Sequence, residues 1–340
     1  MSQHKKWIWI FLLSLGIGVT IVIPFFLPIW DNKTVEDADL LVATSSPLPS
    51  PETNAYTYVT KLLPLTANEK KAAEQAENIL HGENIKLNKS VVVAESKYIV
   101  DSSKRLIPLF LQAAQQNTFH CLKDTCASTV SEYQDIHDLI LIHAFYAAKQ
   151  GDIVRASDLL KAAVHFGFIF GTQENSQGTL ITFLVGERMV TDSLDISQLV
   201  RISEFMSKEE FEANIYPQDF YATVRKRMYA DDKLLLLQSF GKNIQQRYWF
   251  LPNKTVNTLA AFAREEIQIL GGACTGSIDI TRAAALDQKI ADIKEGVNLL
   301  SSVFPNIRGN MQLSILFAGQ SHIVHLKICE HNTRISNMAL

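Results

Sequence analysis

The sequence lacks the compositions that mark fibrous, low-complexity and disordered proteins. Ten prolines and fifteen glycines in 340 residues are too few for a collagen-like or repetitive chain. Hydrophobic residues make up 47% of the chain, which is enough apolar surface to build a core, so general disorder is excluded. The 32 lysines and arginines do not outnumber the 35 aspartates and glutamates, so the chain has no electrostatic footprint for nucleic acid.

The motifs of several enzyme classes are also missing. The chain contains no GxSxG elbow, no HExxH, no Walker loop and no GxGxxG. Side chains that are adjacent in sequence point apart on a helix, so each acidic pair is predicted to be a solvated face or a helix start. These pairs are Glu209-Glu210, Asp231-Asp232 and Glu265-Glu266. The basic cluster Arg225-Lys226-Arg227 is predicted to be a solvated turn of helix. The sequence therefore predicts no catalytic residue, and it indicates no cofactor.

The clearest positive feature is an apolar run from Trp7 to Trp30 that contains no charged residue. A helix of roughly twenty residues crosses a hydrocarbon core of about 30 Å, so this run is long enough to span a bilayer. Trp7, Trp9 and Trp30 lie near its ends, where indole rings favour the headgroup layer. Two lysines precede the run, and the positive-inside rule therefore places residues 1–6 in the cytoplasm.

A cleaved signal peptide and a buried core helix are the alternatives to a membrane span at 7–30. The run is longer than the apolar region of a usual signal peptide, and no small-x-small cleavage site follows it closely. It also lacks the polar stripe of a core helix. We therefore predict an uncleaved signal anchor in a bacterial inner membrane, with residues 31–340 exported to the periplasm.

The exported part divides at Asn54. Residues 31–53 include Pro47, Pro49 and Pro51, which favour extended polyproline geometry, so this stretch is predicted to be a semi-rigid tether. Residues 54–340 are predicted to form an α-helical periplasmic domain. The predicted fold class is all-α, with one N-terminal transmembrane helix and a multi-helix exported domain built of αα-hairpins.

Capping residues and apolar spacing predict a series of helices in this domain. Thr66 and Glu69 form a capping box that opens one of them. The stretch 91–100 fits either a strand or a helix, and the leucine run at 234–240 is predicted to be buried because it shows no periodicity. Predicted helices occupy 54–63, 66–80, 103–116, 133–148, 153–168, 177–191, 195–205, 207–214, 217–229, 253–269, 281–300 and 311–328, with a polar tail after the last.

The clearest hairpin lies at 144–167, with the sequence AFYAAKQGDIVRASDLLKAAVHFG. Gly151-Asp152 fall at the turn, and Ala156, Leu160 and Ala163 match the small and large packing positions of a second helix. This segment resembles one tetratricopeptide-type hairpin over about 30 residues. No second copy at the 34-residue period of that repeat is visible, so the resemblance implies an αα-hairpin and not a superhelix.

Four cysteines, Cys121, Cys126, Cys274 and Cys329, all lie in the predicted exported part, where disulfides persist. They allow two bridges in any of three pairings, and Cys121–Cys126 with Cys274–Cys329 is the pairing we favour. Four free or buried thiols are the alternative.

Metal binding is a weaker prediction for the same region. His322, His325 and Cys329 have spacings that place them on one helix face. They lack the tight paired spacings of a structural zinc site, so we predict no metal and name these three as the candidates to examine.

The aromatic triplet Tyr248, Trp249 and Phe250 stands before a proline and a predicted helix start. It is predicted either to pack in the core or to contact a partner protein, since aromatic residues are enriched at interfaces.

A membrane anchor, helical hairpins and the lack of catalytic motifs favour an interaction or scaffold module of the cell envelope. Its expected partners are the bilayer and another envelope protein. An anchored periplasmic hydrolase or lytic enzyme, with a site assembled only in the fold, is the alternative.

Overall fold

A computed structural model describes the chain at residues 35–41, 50–82, 90–121, 129–173, 179–202, 204–241, 252–270, 274, 288 and 320–339. Eleven helices and no β-strand occur in these ranges, which confirms the all-α prediction. The predicted membrane segment at 7–30, with its three tryptophans, lies outside the described residues, as do most of the predicted helix at 281–300 and residues 311–319. Among the helices that are described, none is long and apolar enough to cross a bilayer.

The helices are numbered in the order in which they follow one another along the chain. They are α1 Ala55–Val59, α2 Ala67–His81, α3 Ser90–Ser103, α4 Leu106–Ala114, α5 Val130–Lys149, α6 Ile153–Gly171, α7 Thr179–Leu199, α8 Lys208–Glu212, α9 Phe220–Gly241, α10 Pro252–Leu270 and α11 Gln320–Met338. The stretch predicted as strand or helix at 91–100 is thus helical, within α3.

The contacts between residues divide the chain into two compact units. Unit 1 comprises Met1–Val42 and Gln218–Ile323, and unit 2 comprises Ala43–Pro217 and Val324–Leu340. This division is finer than the single domain predicted over 54–340.

Two local structures that the sequence predicts in unit 2, a capping box and a helical hairpin, are present. Thr66 Oγ1 accepts from the Glu69 amide at 3.3 Å, and the Glu69 carboxylate accepts from the Thr66 amide at 2.7 Å, which is the predicted capping box. The α5–α6 hairpin is also confirmed, because Gly151 adopts φ 81° at the turn and Asp152 caps α6. A positive φ is the conformation that glycine tolerates and other residues rarely adopt.

The core of unit 2 is apolar and rich in aromatic rings. The ring of Phe119 lies edge-on to Phe170 at 5.0 Å and to Tyr133 at 5.6 Å between centroids, which is the favoured aromatic geometry. Helices α5, α6 and α7 pack side by side around these rings, and α2, α3 and α4 pack against α5 and α6. Asn54 caps α1, as predicted, and its side chain also bonds the backbone of His120, at 2.7 and 2.9 Å.

One predicted helix break in unit 2 is wrong. The sequence predicts separate helices at 177–191 and 195–205, whereas α7 runs unbroken from Thr179 to Leu199. Ser193 Oγ donates to the Met189 carbonyl at 2.7 Å, and Ser197 Oγ donates to the Leu194 carbonyl at 2.7 Å. Such back-bonding lets polar side chains lie inside a helix without ending it.

The polar tail predicted after residue 328 is instead the last part of α11, and it is bonded into unit 2. Asn332 pairs through its side-chain amide with the backbone of Tyr216, at 2.9 and 3.0 Å. His331 Nε2 bonds the Asn214 carbonyl at 2.7 Å, and its Nδ1 lies 3.0 Å from Glu187 Oε1. Tyr216 donates to that same carboxylate oxygen at 2.5 Å.

Unit 1 is built on α9 and α10, which pack around Tyr229, Leu236 and Leu259. Leu40 is only 1% exposed in this cluster, although the sequence predicts an extended tether over residues 31–53. The described residues 35–41 therefore pack against the helices, and this part of the chain differs from a free spacer.

Charged residues of unit 1 also differ from their predicted solvated roles. Arg225 and Glu266 are buried and ion-paired with each other, although the sequence predicts both on solvated faces. Burial is tolerated because each charge has its partner. The leucine run, which the sequence predicts to be buried, is instead largely exposed. Only Leu236 is buried, and the other three leucines are exposed.

Candidate functional site

Two cavities in unit 2 combine accessible space with converging polar groups. The first, which we name the acidic pocket, lies between the end of α2 and the second half of α7 and has a volume of about 620 Å³. Its lining residues are Leu80, His81, Asp192, Asp195, Ile196, Gln198 and Leu199. A volume of this size is typical of small-ligand sites.

A cluster of titratable groups joins Asp192, which lines the acidic pocket, with two buried residues of α5. Helix α5 contributes His137 and Asp138, which are 0% and 2% exposed, and α7 contributes Asp192. His137 Nδ1 and Asp138 Oδ1 lie 3.7 Å apart, beyond hydrogen-bond distance, and neither atom has a hydrogen-bond partner among the residues that the structure describes. Buried polar atoms of this kind are rare and are often found where a protein handles protons or ligands.

Two carboxyl groups in this region, Asp192 and the neighbouring Asp135 of α5, have raised pKa values. Burial is the largest influence on the pKa of Asp192 and raises it, and Asp138 adds to the rise, whereas His137 and Arg188 lower it. Burial, reinforced by Asp138, likewise raises the pKa of Asp135 to about 6. A carboxyl group with a raised pKa is a candidate general acid.

Arg188 stands at the rim of the acidic pocket. Its Nη2 lies 2.5 Å from His81 Nε2, and its Nε lies 3.5 Å from Asp192 Oδ2. The guanidinium thus balances part of the negative charge that Asp192 carries when it is ionised.

Two serine–histidine pairs lie nearby, yet neither is built as a nucleophile. Ser193 Oγ donates to a backbone carbonyl and accepts from His137 Nε2 at 3.1 Å. Ser103 Oγ donates to the Ile99 carbonyl at 2.6 Å and accepts from His143 Nε2 at 2.9 Å. Because each hydroxyl proton points at the backbone, neither imidazole is placed to remove it, and both serines are fully buried.

The second cavity, which we name the apolar groove, has a volume of about 550 Å³. It runs between α4, α6 and the α8 region, and its lining residues are Leu111, Ala114, Gln115, Asp158, Lys161, Ala162, His165, Met206, Glu210, Ala213 and Asn214. Its buried apolar members, Ala114, Ala162 and Met206, form its floor, while an ion pair between Lys161 and Glu210 lies at its rim.

Hydrogen bonds hold the walls of the apolar groove in place. His165 Nδ1 bonds Asn214 Oδ1 at 3.2 Å and His165 Nε2 bonds the Gln116 carbonyl at 3.1 Å. Asn214 Nδ2 donates to the Glu210 carbonyl at 2.7 Å, which fixes the orientation of the amide. The groove is therefore held by side chains of two walls and by a backbone carbonyl that follows α4.

The cysteines predicted to form disulfides are disulfide-bonded where the structure describes them. Cys121, Cys274 and Cys329 each form a disulfide, whereas Cys126 lies outside the described residues. The pairing itself stays a prediction.

The metal candidates near the carboxyl end are only partly described. His325 is buried, with Nε2 3.5 Å from Cys329 Sγ, but that sulfur belongs to a disulfide and offers no thiolate. The side chain of His322 lies outside the described part. No three histidine, cysteine, aspartate or glutamate side chains converge on a metal position within the ranges that the structure describes.

The aromatic triplet Tyr248, Trp249 and Phe250 also lies outside the described residues, so it stays a prediction. Sequence reasoning missed both cavities, since their residues come from helices far apart in the chain. The local signal that could have pointed to one of them is in α5, where His137 and Asp138 stand directly before the apolar run of residues 139–142.

No protein-family model, curated protein or solved structure matches this chain. Its function is therefore argued from the geometry of these cavities.

Proposed function

We propose that this chain is a membrane-anchored interaction module of the bacterial cell envelope, and that its apolar groove binds a segment of another envelope protein. Residues 7–30 would hold it in the inner membrane, with the amino terminus in the cytoplasm and the helical part in the periplasm. Disulfide-bonded cysteines suit that compartment, because disulfides persist where the environment is oxidising.

The observation that carries this proposal is the composition of the apolar groove. Its floor is apolar, while exposed Asp158, Lys161 and Gln115 surround it. An apolar centre within a polar rim is the anatomy of protein–protein interfaces. The Lys161–Glu210 pair offers both signs of charge to the backbone and polar side chains of the bound segment.

Photo-crosslinking from the groove tests the proposal. With p-benzoylphenylalanine placed at Gln115 of the full-length chain in native membranes, we expect a discrete crosslinked envelope protein. Filling the groove by Ala213→Trp, at an exposed wall position, should remove that product. The matched control is Val154→Trp, which adds the same bulk at a position 75% exposed and away from the groove. A crosslink that survives Ala213→Trp would contradict the proposal.

The acidic pocket supports a second candidate, an anchored hydrolase or lytic enzyme. The specific observation is Asp192, whose raised pKa and position on the cavity wall suit a general acid. Full-length protein incubated with purified cell-wall sacculi should then release soluble fragments, and Asp192→Asn should abolish the release. Asp158→Asn, at an exposed aspartate, is the control. Failure of the unaltered protein to release fragments would reject this candidate.

A further inference from the structure

Helix α9 carries a group of exposed apolar side chains that we name the leucine patch, comprising Leu234, Leu235 and Leu237. These side chains are 37%, 54% and 43% exposed, whereas Leu236 between them is 2% exposed. Leu236 packs in the core of unit 1, so the helix is fixed with its other leucines facing outward. Adjacent exposed leucines usually mark a contact with another apolar surface.

The amino-terminal segment of unit 1 is bonded to α9 directly beside this patch. Tyr229 donates to Asp37 Oδ2 at 2.5 Å, and Lys233, the residue before Leu234, is ion-paired with Asp37. Arg264 of α10 holds the same segment through Asp39, at 2.6 and 2.9 Å. The chain is thus fixed to α9 within one residue of the leucine patch.

This attachment limits how far the patch can lie from the predicted membrane span. Val35, which packs on the unit 1 core, is only the fifth residue after Trp30, the end of that span. An extended chain covers at most about 3.5 Å per residue, so five residues reach about 18 Å. The headgroup layer on one side of a bilayer is itself several ångströms thick.

We propose that the leucine patch of α9 inserts into the interfacial layer of the same bilayer that holds residues 7–30. The proposal rests on the membrane anchor of the proposed function. Three half-exposed leucines would bind a free protein to lipid only weakly, because each one transfers only part of its apolar surface out of water. The anchor makes the contact intramolecular, so a weak surface is sufficient. Insertion would fix the orientation of unit 1 on the membrane.

Lipid photo-crosslinking in proteoliposomes tests this. The full-length chain carries p-benzoylphenylalanine at one position and is reconstituted into phosphatidylethanolamine–phosphatidylglycerol vesicles that contain an alkyne-tagged lipid. We expect lipid adducts at Leu235 several-fold above those at Val154, which is more exposed but belongs to unit 2. A third position, Phe25 inside the apolar run, reports on the anchor alone.

The outcomes separate the two proposals. Lipid adducts at both Phe25 and Leu235 support the anchor and the patch together. Adducts at Phe25 with only background at Leu235 overturn the patch and leave the anchor standing. Crosslinks from Leu235 to a second copy of the chain, in place of lipid, also overturn it. Background adducts at Phe25 overturn the anchor, and the patch proposal fails with it.

Discussion

At the scale of single residues, unit 2 keeps several titratable groups in surroundings that disfavour their charged form. Burial, with Arg155 and Lys104 adding to it, lowers the pKa of His143 to about 4. The neutral ring donates through Nε2 to Ser103, which satisfies the pair without a charge. Such groups link the stability of the fold to pH.

His143 should make the protein less stable in mild acid. Its pKa is near 6.5 in the unfolded chain and about 4 in the fold, so its stabilising effect is complete above pH 6.5 and is lost as pH falls toward 4. The free energy of unfolding falls by about 3 kcal/mol between these two pH values, since each pH unit contributes about 1.4 kcal/mol. Denaturant unfolding at pH 7 and pH 4 should show this extra loss in the unaltered protein relative to His143→Gln. If the unaltered protein and His143→Gln lose the same stability between pH 7 and pH 4, the prediction for His143 is contradicted.

Asp135 should make the protein less stable as the pH rises, the opposite of the effect of His143. Its folded pKa of about 6 lies above the usual value of 3.8, so the carboxyl favours the fold below pH 3.8 and this effect is lost as pH rises through 6. Asp135→Asn should therefore raise the free energy of unfolding at pH 7. Because the side chain is only partly buried, solvent screens this effect and we expect a gain on the order of 1 kcal/mol. Asp158→Asn is the control, and a gain at pH 4 as large as at pH 7 would contradict the expectation.

The surroundings of individual charged side chains are what the sequence predicts least well. The basic neighbours of Arg225 in sequence favour a solvated turn, but its partner Glu266 lies on another helix. Asp138 and Asp192 likewise approach each other only because α5 and α7 pack together. Contacts between distant residues leave no local pattern to read.

At the scale of helices, the sequence predicts most of what is local. The capping boxes at Thr66–Glu69 and Ser207–Glu210 each lie within four residues, so both can be found from sequence and both are present. The close approach of α6 and α7 cannot be found from sequence, since it depends on a contact between Gly171 of one helix and Gly186 of the other.

Gly186 should tolerate no side chain. A Cβ at this position would lie 2.5 Å from the Gly171 backbone, closer than such atoms approach, so α6 and α7 would have to separate. Alanine normally stabilises a helix by up to about 1 kcal/mol over glycine, but overpacking costs about 1–3 kcal/mol. We therefore expect Gly186→Ala to lower the melting temperature. Gly171→Ala should cost less, because the nearest atom to its Cβ is the Tyr216 hydroxyl at 3.2 Å. The reverse order of melting temperatures would contradict this packing.

At the scale of the whole molecule, unit 1 joins two parts of the sequence that no local signal connects. Glu36, Asp37 and Asp39 lie in the predicted tether. Tyr229, Lys233 and Arg264 nevertheless bind this segment from about two hundred residues away. The predicted compartment, in contrast, depends only on local features, namely an uncharged apolar run and the two lysines before it.

Export and disulfide formation should occur together. Three of the four cysteines are described, and all three are disulfide-bonded. Disulfides persist in oxidising compartments such as the periplasm. A periplasm-active phosphatase fused after Leu340 should therefore be active. In the same cells, protein denatured without reductant should show no alkylated cysteine, and reduction should expose all four. Proteolysis without reduction should then yield linked peptides for Cys121–Cys126 and Cys274–Cys329. An inactive fusion with freely alkylated thiols would place the helical part in the cytoplasm and contradict the anchored orientation.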